Sequence, residues 1–188
     1  YPATTQDMQQ FSAAQDSLSK MQTPVLHDAH NPASRMFVAS FDGTGNDVLN
    51  DPDHATNVAR AHKAIEVRNA QGDTSIASGY VAGPGTQEGL LERTWDGARG
   101  HTYDPRLEEM YKRFIEQAAK WKADNPGVVI TLAATGFSRG AEQAAGFTRL
   151  VHERGIEDPD GAVYQREGNN QITGVTYTLP PLQEPGSI

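Results

Sequence analysis

The chain has 188 residues, 37% of them hydrophobic, with a formal net charge of −8 and a mean hydropathy of −0.60. That is enough for one domain with a real core, and no run approaches membrane-spanning length. The acidic balance without a dense Lys/Arg cluster argues against nucleic acid as a partner, and the lack of cysteine excludes disulfides, thiol chemistry and cysteine zinc sites within this chain.

Tyr1–Gln22 has neither the basic start nor the apolar centre of a signal peptide. Within it, Met8, Phe11, Ala14 or Gln15, and Leu18 recur at helical spacing, as in an amphipathic helix or a partly ordered arm. The stretch 23–34 holds two prolines and two histidines and reads as a linker, so residues 1–34 are an arm and 35–188 the main domain. His27 and His30 have a metal-compatible spacing only on a helix; with Pro24 and Pro32 alongside, they are expected to be solvated loop histidines.

Met36–Phe41 is the first strand, and it runs directly into Asp42-Gly43-Thr44-Gly45-Asn46-Asp47. Glycines just after a strand let backbone approach a ligand or reacting atom closely. The loop lacks the Gly-Lys-Ser/Thr ending of a P-loop, and Asp47 stands where an EF-hand needs glycine. Asp47, Asp51 and Asp53 could hold a cation, although a solvated acidic loop is the simpler reading; a weaker alternative is a cation-dependent hydrolase using Asp42 with these three. Thr56 then caps a helix carrying Val58, Ala61 or His62, and Ile65, which makes His62 a core histidine rather than a catalyst. Ser75–Ala82 forms a second strand ending in Gly83-Pro84-Gly85-Thr86, and the glycine-rich stretch 87–101 with Trp95 is an irregular loop.

Asp104-Pro105 opens the clearest helix, with Leu107, Met110, Tyr111, Phe114, Ala118 and Trp121 along one face. Val128–Ala134 follows as a small, β-branched strand covered on both faces. Next come Gly136-Phe137-Ser138-Arg139-Gly140 and a helix from Ala141 to about Arg154, with Gly155 at a left-handed C-terminal cap. Strand, Gly-x-Ser-x-Gly and helix together form the nucleophile-elbow pattern of serine hydrolases. A sharp turn lifts the Ser138 hydroxyl clear of the sheet, and side chains at Gly136 and Gly140 would collide with the neighbouring strand and helix. The Arg139 backbone N–H lies where an oxyanion forms, and a second N–H is expected near Gly43 or Thr44. A hairpin of 162–166 and 171–178 completes the elements, and the Pro-rich end after Leu179, like the start at Tyr1, reads as cut.

Phe41-Asp42-Gly43-Thr44-Gly45-Asn46, Thr56-Asn57-Val58, Tyr80-Val81-Ala82-Gly83-Pro84-Gly85-Thr86, Gly97-Ala98-Arg99-Gly100 and Gly136-Phe137-Ser138-Arg139-Gly140-Ala141 occur in that order. The set resembles the DUF2235 family of α/β-hydrolase-like proteins, which includes the Tle1-type phospholipase effectors of type VI secretion. The resemblance implies an α/β-hydrolase fold, mostly parallel sheet flanked by helices, with Ser138 as nucleophile of a Ser–His–Asp triad. It also implies lipid ester substrates, often phospholipids, no cofactor or metal, and the Asp42–Asn46 loop close to Ser138. As an antibacterial toxin, the protein would meet its target at the periplasm or membrane surface without a signal peptide. An immunity protein and a secretion carrier would be its partners. The triad order is serine, acid, histidine, but the one histidine after Ser138 is His152, far along the elbow helix, which leaves Asp158 and Asp160 without a base. The acid and histidine are therefore expected from a carboxyl-terminal fragment. The rival expectation is a binding module that keeps the scaffold without the chemistry.

Overall fold

A computed structural model describes residues 4–22, 24–48, 51–83, 105–168 and 170–187. The described chain runs α1 (Thr5–Ser19), β1 (Ser34–Phe41), α2 (Asn57–Ala70), β2 (Ile76–Val81), α3 (Pro105–Asp124), β3 (Val129–Gly136), α4 (Arg139–Arg154), β4 (Ala162–Glu167) and β5 (Gln171–Tyr177). This is an α/β fold of the α/β-hydrolase-like kind. Its main sheet is parallel with order β2-β1-β3, and β4 and β5 form a separate antiparallel hairpin.

The chain steps from β1 to β2 through α2, then back past β1 to β3 through α3. Right-handed crossovers in opposite directions put the two helices on opposite faces. The side chains agree. Phe37, Ala39 and Phe41 of β1 share one core cluster with Met110, Tyr111, Phe114 and Ile115 of α3 and with Phe147 and Val151 of α4. Tyr80 of β2 instead packs with Val48 and Ala59 of α2 in a smaller cluster. Aromatic rings tie the larger core together, Phe37 to Phe114 at 5.3 Å and Phe41 to Phe147 at 5.6 Å between centroids.

The apolar face read from sequence in α3 is the buried one, but it also contains Glu108, 3% exposed. Arg154, in the last turn of α4, meets that carboxylate in a two-pronged bond of 2.7 and 2.9 Å. The guanidinium lies 5.4 Å from the Tyr111 ring centroid. An acid survives on a core stripe because a fork-shaped cation reaches it there.

Some boundaries differ from the sequence reading. The elbow strand runs through Gly136 rather than stopping at Ala134, and its helix starts at Arg139 rather than Ala141. The strand is longer because β3 stays in register with β1 to its last residue, Phe41 opposite Gly136. Gly155 has φ 71 but ψ −139, so it caps α4 in an extended conformation open to glycine and not in the left-handed helical one. His27 is not simply solvated: its ring lies 3.1 Å from the Ser34 hydroxyl and 3.3 Å from that of Ser75. Helix α1 starts with a capping box between Thr4 and Asp7, yet none of its residues is buried. The expected cap Asp104, the stretch 84–103 with Trp95, and His101 lie outside the described residues.

Candidate active site

All three parallel strands end at one level, with Phe41 paired to both Val81 and Gly136. The chain leaves β1 toward α2 on one face and β3 toward α4 on the other. The crevice between two such loops is where open parallel sheets place their ligands.

The turn from β3 into α4 is tight. Phe137 N–H donates to the Phe41 carbonyl at 3.1 Å, Gly140 N–H to that of Phe137 at 2.9 Å, and Ala141 N–H to that of Ser138 at 2.9 Å. Ser138 at the apex has φ 53 and ψ −124, a conformation that side chains rarely adopt. A Cβ at Gly136 would run into the Gly140 carbonyl, and one at Gly140 would lie 2.7 Å from the Asp42 carbonyl oxygen and closer still to that of Phe41. The two glycines therefore permit the bend that forces Ser138 into strain. Phe137, Ser138 and Arg139 are exposed, and Ser138 makes no side-chain capping bond. Its hydroxyl has no hydrogen-bond partner among the described residues.

The β1 loop lies directly against this turn. A Cβ on Gly43 would be 2.6 Å from Cδ1 of Phe137, and one on Gly83 would overlap the Gly43 carbonyl. Asn46 N–H donates to the Gly43 carbonyl at 3.0 Å, Gly83 N–H donates to the Asn46 carbonyl at 2.9 Å, and Gly45 turns the loop at φ 75. Across the gap, Nε of Arg139 donates to Oγ1 of Thr44 at 2.7 Å. The two loops are thus joined beside the serine.

Asp42 anchors the β1 loop and is 1% exposed. Its Oδ1 accepts Gly43 N–H at 2.8 Å, and Oδ2 accepts the hydroxyls of Tyr80 at 2.8 Å and Thr56 at 2.9 Å. Tyr80 Oη in turn accepts Val48 N–H at 3.2 Å, and Thr56 Oγ1 accepts Ala59 N–H at the start of α2. Burial first, and then the adjoining Asp42 carboxylate, push the Tyr80 phenol well above its usual range. Two expectations change here. Asp42 is a buried acceptor of three hydrogen bonds, which counts against its part in the cation-dependent alternative. Gly43 N–H is spent on Asp42, which leaves that of Thr44 on the loop.

Nothing in the sequence around Tyr80 or Thr56 marks either as a partner of Asp42. The available signal was the shared parity of Ser78 and Tyr80 in β2, which places both on the α2 side. Of the acids Asp42, Asp47, Asp51 and Asp53, Asp51 pairs with His54 at 2.9 Å. No group of three or more metal-ligating side chains occurs among the described residues.

No described histidine bonds to Ser138. His62 is buried on α2, as its position on the apolar face implies, with Nδ1 2.9 Å from the Ser78 hydroxyl and its ring stacked on Tyr80. Because that hydroxyl donates to the Val38 carbonyl at 3.0 Å, it accepts from His62 Nδ1–H. Burial lowers the His62 pKa, while Glu66 works against this and Arg113 with it. His152 sits in the last turn of α4, about 20 Å along the axis from Ser138 at the helical rise. Asp158 is engaged in capping a short turn at Asp160 N–H.

A strained, exposed serine on a strand–turn–helix, at the crevice of a parallel sheet, is the framework of an α/β hydrolase. Residues 35–172 match the family model described as the type VI secretion phospholipase effector Tle1-like catalytic domain. The chain belongs to this family and is a phospholipase-type hydrolase of the secreted-effector class. Searches of curated proteins and of solved structures give no match.

Proposed function

We propose that Ser138 is the nucleophile of a serine esterase that cleaves an acyl ester of phospholipid. Its Oγ bonds to the ester carbonyl carbon, and a histidine outside the described residues takes the proton. Arg139 N–H and Thr44 N–H receive the oxyanion. The same histidine returns the proton to the departing lysophospholipid alcohol, and water then releases the fatty acid. The supporting observation is the Ser138 backbone at φ 53 with its hydroxyl unengaged among the described residues, at the carboxyl edge of the sheet. Strain of this kind persists where surrounding structure enforces it, commonly at functional sites. On this reading the Gly136–Gly140 motif marks the DUF2235 group, residues 35–188 are the catalytic domain, and the effector acts on lipid of a rival cell. An immunity protein and a carrier would be its partners.

Ser138→Ala in the intact protein tests the mechanism. Hydrolysis of phosphatidylglycerol vesicles should fall by at least about a thousandfold in kcat; a wild-type rate would overturn it. The second reading, a binding module on a hydrolase scaffold, draws on the lack of a described histidine at Ser138.

A further inference from the structure

We infer that the Arg139 side chain reads the phosphate of the substrate, selecting phosphodiester lipids over neutral acylglycerols. This rests on Ser138 being the nucleophile and deepens that reading. Arg68, Arg113, Arg149, Arg154 and Arg166 each meet an aspartate or glutamate within ion-pair distance. Arg139, like Arg35 and Arg60, meets no carboxylate among the described residues, and of these three it is the one next to Ser138. Its side-chain bond is to the neutral Thr44 hydroxyl, in a chain of formal charge −8. An exposed guanidinium beside the reacting hydroxyl, with no carboxylate on it among the described residues, is open to an anionic group of the substrate.

The 2.7 Å bond also fixes which edge is on offer. It engages Nε, so the edge formed by the two Nη groups remains, and that fork matches two oxygens of a phosphate. Holding the stem on Thr44 removes part of the rotamer freedom that a surface arginine loses on binding. In a glycerophospholipid the phosphate is only a few bonds from the nearer ester carbonyl. One molecule can thus reach the Ser138 hydroxyl and the guanidinium of the next residue together. A neutral diacylglycerol gains nothing from that guanidinium.

The experiment compares kcat/KM of the intact protein for monomeric dihexanoyl phosphatidylglycerol and for dihexanoylglycerol, both below their aggregation limits. Wild type should favour the phospholipid, and the preference should shrink as salt rises, because the arginine is exposed. Arg139→Gln should reduce the phospholipid-to-glyceride ratio about tenfold, and Arg139→Lys, which keeps charge but loses the fork, should fall between. An unchanged ratio in Arg139→Gln overturns the inference, as does a wild type without preference. The wild-type ratio and its salt dependence decide the matter if the glutamine variant does not fold. Retained turnover in Ser138→Ala would instead strike at the serine mechanism, so the two failures are distinguishable.

Discussion

Asp42 gives the sharpest test of how the β1 loop is held. In Asp42→Ala the Gly43 N–H and the Tyr80 and Thr56 hydroxyls all lose their acceptor. Tyr80 is 4% exposed and Asp42 1%, so water is a poor substitute for at least two of the three. A buried donor left unpaired costs about 1–3 kcal/mol, so two of them give about 2–6 kcal/mol, a large part of an ordinary domain's stability. Asp42→Asn should cost less, about 2 kcal/mol. With the amide oxygen set toward Tyr80 and Thr56, its NH2 faces the Gly43 N–H, so one of three bonds becomes a clash of donors. Urea unfolding followed by tryptophan fluorescence measures both, and midpoints should rank wild type, Asn, Ala. If the alanine variant lost less than about 1 kcal/mol, the network would not be what fixes the loop.

Other expectations follow from the same contacts. Arg154→Met strands Glu108 in the core and should cost about 3–5 kcal/mol in urea unfolding, whereas Arg154→Met with Glu108→Leu should recover much of it; equal losses would contradict a paired role. Gly140→Ala pushes a methyl into the Phe41 carbonyl and should cost well over about 3 kcal/mol or prevent folding, whereas Gly45→Ala, with open space around it, should cost only about 1 kcal/mol for its positive φ. Burial holds the folded His62 pKa below the ordinary imidazole value of about 6.5, so the unfolded chain binds its proton first. Its contribution is intact above that value and lost as pH falls from there toward the folded pKa. His62→Gln should therefore flatten the decline in Tm as pH falls below about 6.5, relative to wild type.

The parts of this molecule that local chemistry dictates were legible in the residues. Pro105 at a helix start, the stripe from Met110 to Trp121 and the glycines flanking Ser138 each follow from a steric or burial rule that acts within one element. The rest depends on meetings between distant segments. Glu108 spoils an otherwise apolar stripe until Arg154 arrives from α4, and no pattern inside α3 announces that. Asp42 looks like a metal-seeking acid when read with Asp47, Asp51 and Asp53. Only the pairing of β1 with β2 brings Tyr80 over it, and only the start of α2 brings Thr56. The same holds for Thr44 and Arg139, whose contact exists because β1 and β3 end level.

The most direct measurement is covalent capture by a fluorophosphonate probe in the intact protein, read by peptide mass spectrometry. One equivalent of adduct on the peptide containing Ser138, lost in Ser138→Ala, is the predicted result. Active phospholipid turnover with no adduct at Ser138, or with the adduct on a different residue, would contradict the account.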